Sequence, residues 1–417
     1  MDSIKNFINY KQKEIILLVK KLISIQSFSG QELMIADFIA KFIAEEEIKV
    51  IKQKHDQTNN VVVIIGKGEP TLIYNGHLDT VCPTAEMWKI TKPLIPLEQD
   101  GKIFGLGSTD MKGALASLIF AAFYLKETDF QGKLILALTA KEEIDGSGTK
   151  AFLDYGVKKK IFTIQKTAAL VAEATAMQMV SVGCRGSAFI TIQVKGKGGH
   201  SANPDKTKNP IGKLAEIILD LPSFVADLGK NYKDEILPLP TATPTAFWSG
   251  VVSKGSEVLT TKKNSVPYLA EAIFDFRNTP RLTENNFEDF KKELNQFLKK
   301  FSADGFKITW DFTAKPGTGH KIDPNHDLIK LAKKTLEENL GRENIKIGFE
   351  QGSNDAAAFG NVGIPAVNKV GPGTIGVNHK ADEYVEIKNI LLATEFYIKF
   401  ALNYFNHFGG KNVNPKN

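Results

Sequence analysis

Apolar positions along the 417-residue chain follow two different rhythms. From Lys11 to Ile25 they recur at helical spacing, and Met34, Ile35, Phe38, Ile39, Phe42 and Ile43 form a second helical stripe. Ser29-Gly-Gln-Glu32, just ahead of that stripe, has the form of a capping box, which predicts Ser29 as the N-cap. Short unbroken apolar runs then appear at Asn60–Ile65, Thr71–Tyr74, Leu134–Thr139 and Ala168–Ala172. Their length and β-branched content predict buried strands, and a helix is expected over Lys112–Leu125. Strands alternating with helices predict an α/β layer: a mostly parallel mixed sheet flanked by helices.

The texture changes near Cys184. Strand patterns at Ala188–Val194, Thr243–Val252, Pro267–Phe276 and Phe306–Phe312 enclose helical ones at Asn209–Leu221 and Glu284–Phe301. Strand-helix-strand-strand-helix-strand is the ferredoxin-like split unit. Lys315-Pro-Gly-Thr-Gly319 suits a hinge back to the first layer. Helical signals at Asp327–Leu340 and Ile387–Phe405 and a strand signal at Ala366–Val370 then resume, and the tail from Gly409 is expected to fray. The expected organisation is one domain from residues 1–184 and 316–417, with an α+β domain at 185–315 inserted in it.

Composition narrows the function classes. With 42% hydrophobic and 24% charged residues the chain is of ordinary globular type. It shows neither a secretory leader nor an apolar run long enough to span a membrane. Two cysteines, Cys82 and Cys184, cannot build a disulfide framework, which points to the cytoplasm. The net charge of +6 is spread over lysines in small clusters such as Lys158–Lys160 and Lys262–Lys263, without a basic run interleaved with aromatics, so nucleic-acid binding is not expected.

Candidate chemistry gathers just past the strands. His77 and Asp79 follow the run Thr71–Tyr74, Asp110 precedes the helix that starts near Lys112, Glu142-Glu143 follow Leu134–Thr139, Glu173 follows Ala168–Ala172, and His379 lies in a late loop. In open α/β sheets, sites form at the carboxyl ends of strands. Taken singly, each residue has an ordinary alternative: a surface or core histidine, a helix-capping aspartate, a solvated glutamate. As a set, nitrogen and oxygen donors without sulfur suit a hydrolytic zinc site. Two histidines and three carboxylates, one of them bridging, suffice for two ions roughly 3.5–4 Å apart. Of the adjacent Glu142 and Glu143, one can hold a cation while the other faces what it activates. Asp79, two residues past His77, is placed to fix the imidazole tautomer.

The motifs His77-Leu-Asp-Thr-Val81, Gly107-Ser-Thr-Asp-Met-Lys-Gly113, Lys141-Glu-Glu-Ile-Asp-Gly-Ser-Gly-Thr149, Glu173-Ala-Thr175 and Gly198-Gly-His-Ser-Ala-Asn-Pro204, with the late His379, occur in order. Together they resemble the zinc metalloamidase and metallopeptidase family of acetylornithine deacetylase, succinyl-diaminopimelate desuccinylase, aminoacylase and glutamate carboxypeptidase. The resemblance spans nearly the whole chain. It implies a zinc-peptidase-like catalytic domain, an inserted lid and dimerisation domain, and a homodimer. It further implies two Zn2+ ions, with Co2+ or Mn2+ as substitutes. Asp110 would bridge them, His77 and Glu173 completing one site and Glu143 and His379 the other. Glu142 would be the general base and Asp79 the partner of His77, and the Asp110–Met111 peptide would be cis. His200 would polarise the scissile carbonyl; Asn264, Arg277 and Ser353, the last in Gln351-Gly-Ser-Asn-Asp355, would contact substrate. His200 as a solvated turn histidine and Arg277 as a sheet-surface ion pair are the ordinary alternatives. Two positions depart from the family pattern: Ala174 replaces the usual proline, and Gly105-Leu-Gly107 stands where Gly-Arg-Gly is common.

The expected activity is hydrolysis of the amide bond of an N-acyl amino acid or small peptide, because glutamate at position 173 accompanies deacylases and carboxypeptidases in that family. A di- or tripeptidase is the alternative within the same fold, and a non-catalytic binding protein is the alternative outside it.

Overall fold

The structure, a computed structural model, describes residues 2–250, 264–302, 305–341 and 343–409. The tail beyond 409, the lysine pair at 262–263 and the last two residues of the strand expected to end at 252 lie outside the described residues. The chain forms two compact units: residues 1–183, 321–349 and 354–417 make the first, and 184–320 with 350–353 the second.

The first unit opens with helices α1 (Asp2–Ile23) and α2 (Leu33–Ala44). Strands β1 (Val50–His55), β2 (Thr58–Lys67) and β3 (Thr71–His77) follow, then α3 (Gly113–Lys126), β4 (Gly132–Thr139), α4 (Ser147–Lys158) and β5 (Thr167–Val171). The sheet order is β1-β2-β4-β3-β5, closed by the short strand Ala366–Val367. β3 runs parallel to both β4 and β5, while β1 and β2 are antiparallel additions at one edge. β3, β4 and β5 are buried almost throughout. Their continuous apolar runs are what a sheet covered on both faces demands. α3 is apolar all round and buried along nearly its full length, which seats it firmly between other elements and fixes the segment before it.

The second unit contains β6 (Gly186–Lys195), α5 (Pro210–Asn231), β7 (Thr241–Ser249), β8 (Leu269–Asn278), α6 (Glu288–Lys299) and β9 (Lys307–Phe312). Its antiparallel sheet has the order β7-β8-β6-β9. Residues alternate along β8, so Ala270, Ala272, Phe274 and Phe276 point into one core with Leu214, Ile217 and Phe290 from the helices. The chain then returns to the first unit through α7 (Asp327–Leu340), α8 (Ala356–Asn361) and α9 (Ile387–Gly409). Among the described residues no helix is long and apolar enough to cross a membrane.

The capping box expected at Ser29–Glu32 does not form. α2 starts one residue past Glu32 without a side-chain cap. Ser29 Oγ donates instead to Asp79 Oδ2 at 2.7 Å, and Glu32 Oε1 accepts from the N–H groups of Gly30 (2.7 Å) and Lys141 (3.1 Å). Distant buried acceptors and donors outcompeted the local pairing.

Candidate active site

Three neighbouring parallel strands deliver the side chains to one edge of the first unit. His77 is the last residue of β3, Glu142-Glu143 lie three residues past the end of β4, and Glu173 lies two past β5. Asp110 precedes α3, and the Asp110–Met111 peptide is cis. Backbone angles at Asp110 (φ −127°, ψ 87°) are extended, so its side chain projects from the helix start rather than capping it.

The Asp110 carboxylate lies between two imidazoles. Oδ1 is 2.9 Å from His77 Nε2, and Oδ2 is 3.3 Å from His379 Nε2. Each imidazole nitrogen meets a second carboxylate: His77 Nε2 is 3.3 Å from Glu173 Oε1, and His379 Nε2 is 2.9 Å from Glu143 Oε1. Donor atoms of His77, Asp110 and Glu143 fall within 4.8 Å of one another, as do those of His77, Glu142 and Glu173. Two three-sided nests thus share one corner, His77, with only nitrogen and oxygen donors.

His77 Nδ1 donates to the main-chain oxygen of Asp79 at 3.0 Å, which turns Nε2 toward Asp110 and Glu173. The Asp79 carboxylate is 3.6 Å from that nitrogen and has other work. Its two oxygens accept the N–H groups of Glu142 and Glu143, both at 3.1 Å, besides the Ser29 hydroxyl. Glu32 holds the preceding amide of Lys141, whose φ of 60° turns the chain sharply. Gly148 completes the turn: a Cβ there would lie 2.1 Å from the carbonyl oxygen of Ala140. Placement of the Glu142-Glu143 pair is therefore a main-chain matter, set by two buried carboxylates from elsewhere.

Crowded acidic groups shape the electrostatics. Burial raises the Glu142 carboxyl well above its usual range, and the neighbouring charges of Asp355, Glu173 and Glu143 add to that against a lowering by His77. Burial likewise raises Glu143. His379, hydrogen-bonded to Asp110 and Glu143, is raised to about 10. Burial disfavours the His77 cation, yet its hydrogen bonds to the Asp110, Asp79 and Glu173 carboxylates outweigh it and its pKa lies well above normal. Asp110, buried but facing both imidazoles, is held low. A cluster that holds extra positive charge this tenaciously is suited to multivalent cations.

Two groups at this site escaped the sequence reading. Asp355, buried, accepts from Thr149 Oγ1 (2.6 Å) and Thr139 Oγ1 (3.2 Å) and is pushed up to about 6 by burial. Glu383 lies in the loop just after His379; Asp355 closes the 351–355 motif, yet neither residue was given a role, because their partners lie far away in sequence.

The remaining candidates belong to the second unit. His200 and Asn264 are brought together, with Nε2 and Nδ2 3.4 Å apart. His200 Nδ1 accepts from the Ala202 N–H at 3.1 Å, which leaves the ring proton on Nε2. Arg277 pairs with Asp275 two residues back, Nε to Oδ1 at 2.8 Å and Nη2 to Oδ2 at 2.9 Å. Ser353 is exposed, in a short arm held by Arg185, whose Nε and Nη2 donate to the main-chain and side-chain oxygens of Gln351.

A mixed α/β sheet with an imidazole-carboxylate cluster at its strand ends defines the class as that of a metal-dependent amide hydrolase. The chain belongs to peptidase family M20/M25/M40, whose family model matches residues 73–403. It is 28% identical over 400 residues to succinyl-diaminopimelate desuccinylase of Rickettsia rickettsii (strain Sheila Smith), covering 92% of this chain and 98% of that protein. Among solved structures it shares its fold with aminopeptidase PepT from Bacillus cereus ATCC 10987, at TM-score 0.73 and 20% identity over 93% of this chain and 97% of that one. It also resembles Bacillus subtilis YXEP, described as a dinuclear metal-binding peptidase, at TM-score 0.66 and 15% identity over 95% and 98% of the two chains.

Proposed function

We propose that this protein is a two-zinc amidohydrolase that removes an acyl group from an N-acyl amino acid, with N-succinyl amino acids as the first class to test. The observation that carries this reading is the Asp110 carboxylate set between His77 and His379, each backed by its own glutamate. The nitrogen and oxygen donors suit zinc in chemistry, with cobalt or manganese as substitutes. His77, Asp110 and Glu173 would hold one ion, and Asp110, Glu143 and His379 the other. When bound, the pair supplies Lewis acidity, polarising the substrate carbonyl and lowering the pKa of a water toward roughly 7.

Everything else is done by side chains of the chain. Glu142, with its raised proton affinity, takes the proton of the attacking water and passes it to the leaving nitrogen. Asp79, Ser29 and Glu32 hold Glu142 in place through the main chain. His200, protonated on Nε2 and accompanied by the Asn264 amide, is assigned the two donors that stabilise the developing oxyanion. Arg277 is assigned the substrate carboxylate, for which its planar fork is suited once Asp275 yields an edge, and Ser353 a hydrogen bond to the substrate. A homodimer through the second unit is supported by Phe247 and Trp248, exposed on β7 at the edge of its sheet.

The test pairs metal analysis with a substrate panel. Purified protein is expected to carry two ions per chain and to hydrolyse N-succinyl-diaminopimelate or another N-acyl amino acid in preference to free-amine di- and tripeptides. Preference for the free-amine peptides would make it a peptidase, and failure to bind any divalent ion would remove the catalytic reading altogether.

A further inference from the structure

Glu383 has 1% of its surface exposed, yet it is devoted to the main chain of another segment. Its Oε2 accepts the N–H of Gly107 at 3.0 Å, and its Oε1 accepts those of Thr109 at 2.8 Å and Asp110 at 3.0 Å. Its own main-chain oxygen accepts from the Gly105 N–H at 2.9 Å, and the Tyr384 oxygen accepts from the Thr109 hydroxyl at 2.5 Å. Five hydrogen bonds thus staple residues 105–110 to residues 383–384.

The need for an anionic acceptor follows from the backbone. Gly107 has φ of 75°, and Asp110 and Met111 are non-helical just where α3 is about to begin. Amides in such a turn converge outward as a concave cluster of donors, of the kind that ordinarily binds an anion. Here the anion is internal. Burial raises the Glu383 carboxyl to about 8, against the three N–H bonds that favour its charged form, and the charge of the fully buried Lys112, whose ammonium donates to the Ile25 carbonyl at 3.0 Å, favours that form as well.

Glu383 stands four residues past His379, and one of the three amides it accepts from belongs to Asp110. We propose that Glu383 is a positioning residue for the metal pair: it locks the segment bearing Asp110 to the segment bearing His379, so that the carboxylate shared by both ions keeps its register with the histidine of one. This rests on the two-metal reading above.

The test is a Co2+ titration of metal-stripped wild type, Glu383→Gln and Glu395→Gln, followed by calorimetry and by visible absorption. Glutamine keeps the shape but turns one oxygen into a donor, so at least one of the three N–H groups loses its acceptor. Glu395, buried in α9 beside Lys399, controls for removal of a buried charge as such. Wild type and Glu395→Gln are expected to bind two ions with the same spectrum. Glu383→Gln is expected to bind at least one of them about 10–100-fold more weakly, with an altered absorption band. Two ions bound by Glu383→Gln with unchanged affinity and spectrum overturn the proposal, even if the variant melts earlier. Wild type that binds no ion overturns the two-metal reading instead. Should Glu383→Gln fail to fold, Thr109→Val, which cuts the hydroxyl bond between the same two segments, is judged by the same criterion.

Discussion

Asp79→Asn separates two ways in which one buried carboxylate can serve this site. In the structure Asp79 Oδ1 accepts from Glu142 N, and Oδ2 accepts from both Glu143 N and Ser29 Oγ. The Ser29 hydroxyl can rotate and accept instead, but the two amides cannot. Whichever way the asparagine amide is turned, one main-chain N–H faces an NH2 group and loses a charge-assisted bond. Such a bond to a buried ion is worth about 1.5–3 kcal/mol, so metal-free Asp79→Asn should be less stable by about 2 kcal/mol. The released amide is that of Glu142 or its neighbour, and a displacement near 1 Å of a reacting group costs up to about 100-fold in rate. Steady-state kinetics beside metal analysis should therefore give a kcat lowered about 10–100-fold, with KM and metal content close to wild type. The Nδ1 bond of His77 ends on the Asp79 main chain and survives the substitution. Metal loss with normal turnover per bound ion would refute the reasoning and assign the carboxylate to His77 after all.

Glu142→Ala should keep both ions and lose about 100–10,000-fold in kcat, the usual worth of a positioned general base; turnover near wild type would remove Glu142 from that role. His200→Ala should lower kcat by about 100–1,000-fold without changing the metal content, whereas equal loss of both would mark a folding role. Asp355→Asn offers a test through pH. The Asp355 carboxyl is raised to about 6 by burial, so the folded state binds its proton more tightly than the unfolded chain does. Stability is then full below about pH 4, declines as pH rises through 6, and stays lower above it. With a rise of about two pH units, metal-stripped Asp355→Asn should exceed wild type by about 2–3 kcal/mol above pH 7 and match it near pH 4. Urea unfolding at both pH values checks this, and a difference independent of pH would contradict it.

Much of the α/β framework was legible because its signal is local. The apolar runs that became β3, β4 and β5 had to be buried on both faces, and no partner is needed to see that. Elements without such a run were missed. β1, Val50-Ile-Lys-Gln-Lys-His55, is a half-polar edge strand, and α4 begins Ser-Gly-Thr, a poor helical start. The helix at Asn209–Leu221 was cut short at Pro222, although α5 continues through that proline to Asn231.

At the site, the sequence by itself marked the candidate imidazoles and carboxylates and placed His77, Glu142, Glu143 and Glu173 at or just past strand ends. Only the tertiary structure decided which atoms meet. Ser29 looked like a helix cap and bonds Asp79, fifty residues away; Glu32 looked like its reciprocal partner and holds Lys141. Asp79 faces the His77 ring at 3.6 Å and also carries the Glu142-Glu143 turn. Arg277 closes on Asp275. The physical reason is the same in each case. A buried carboxylate must find donors wherever the fold supplies them, and burial, unlike periodicity, is a property of the whole chain packed together.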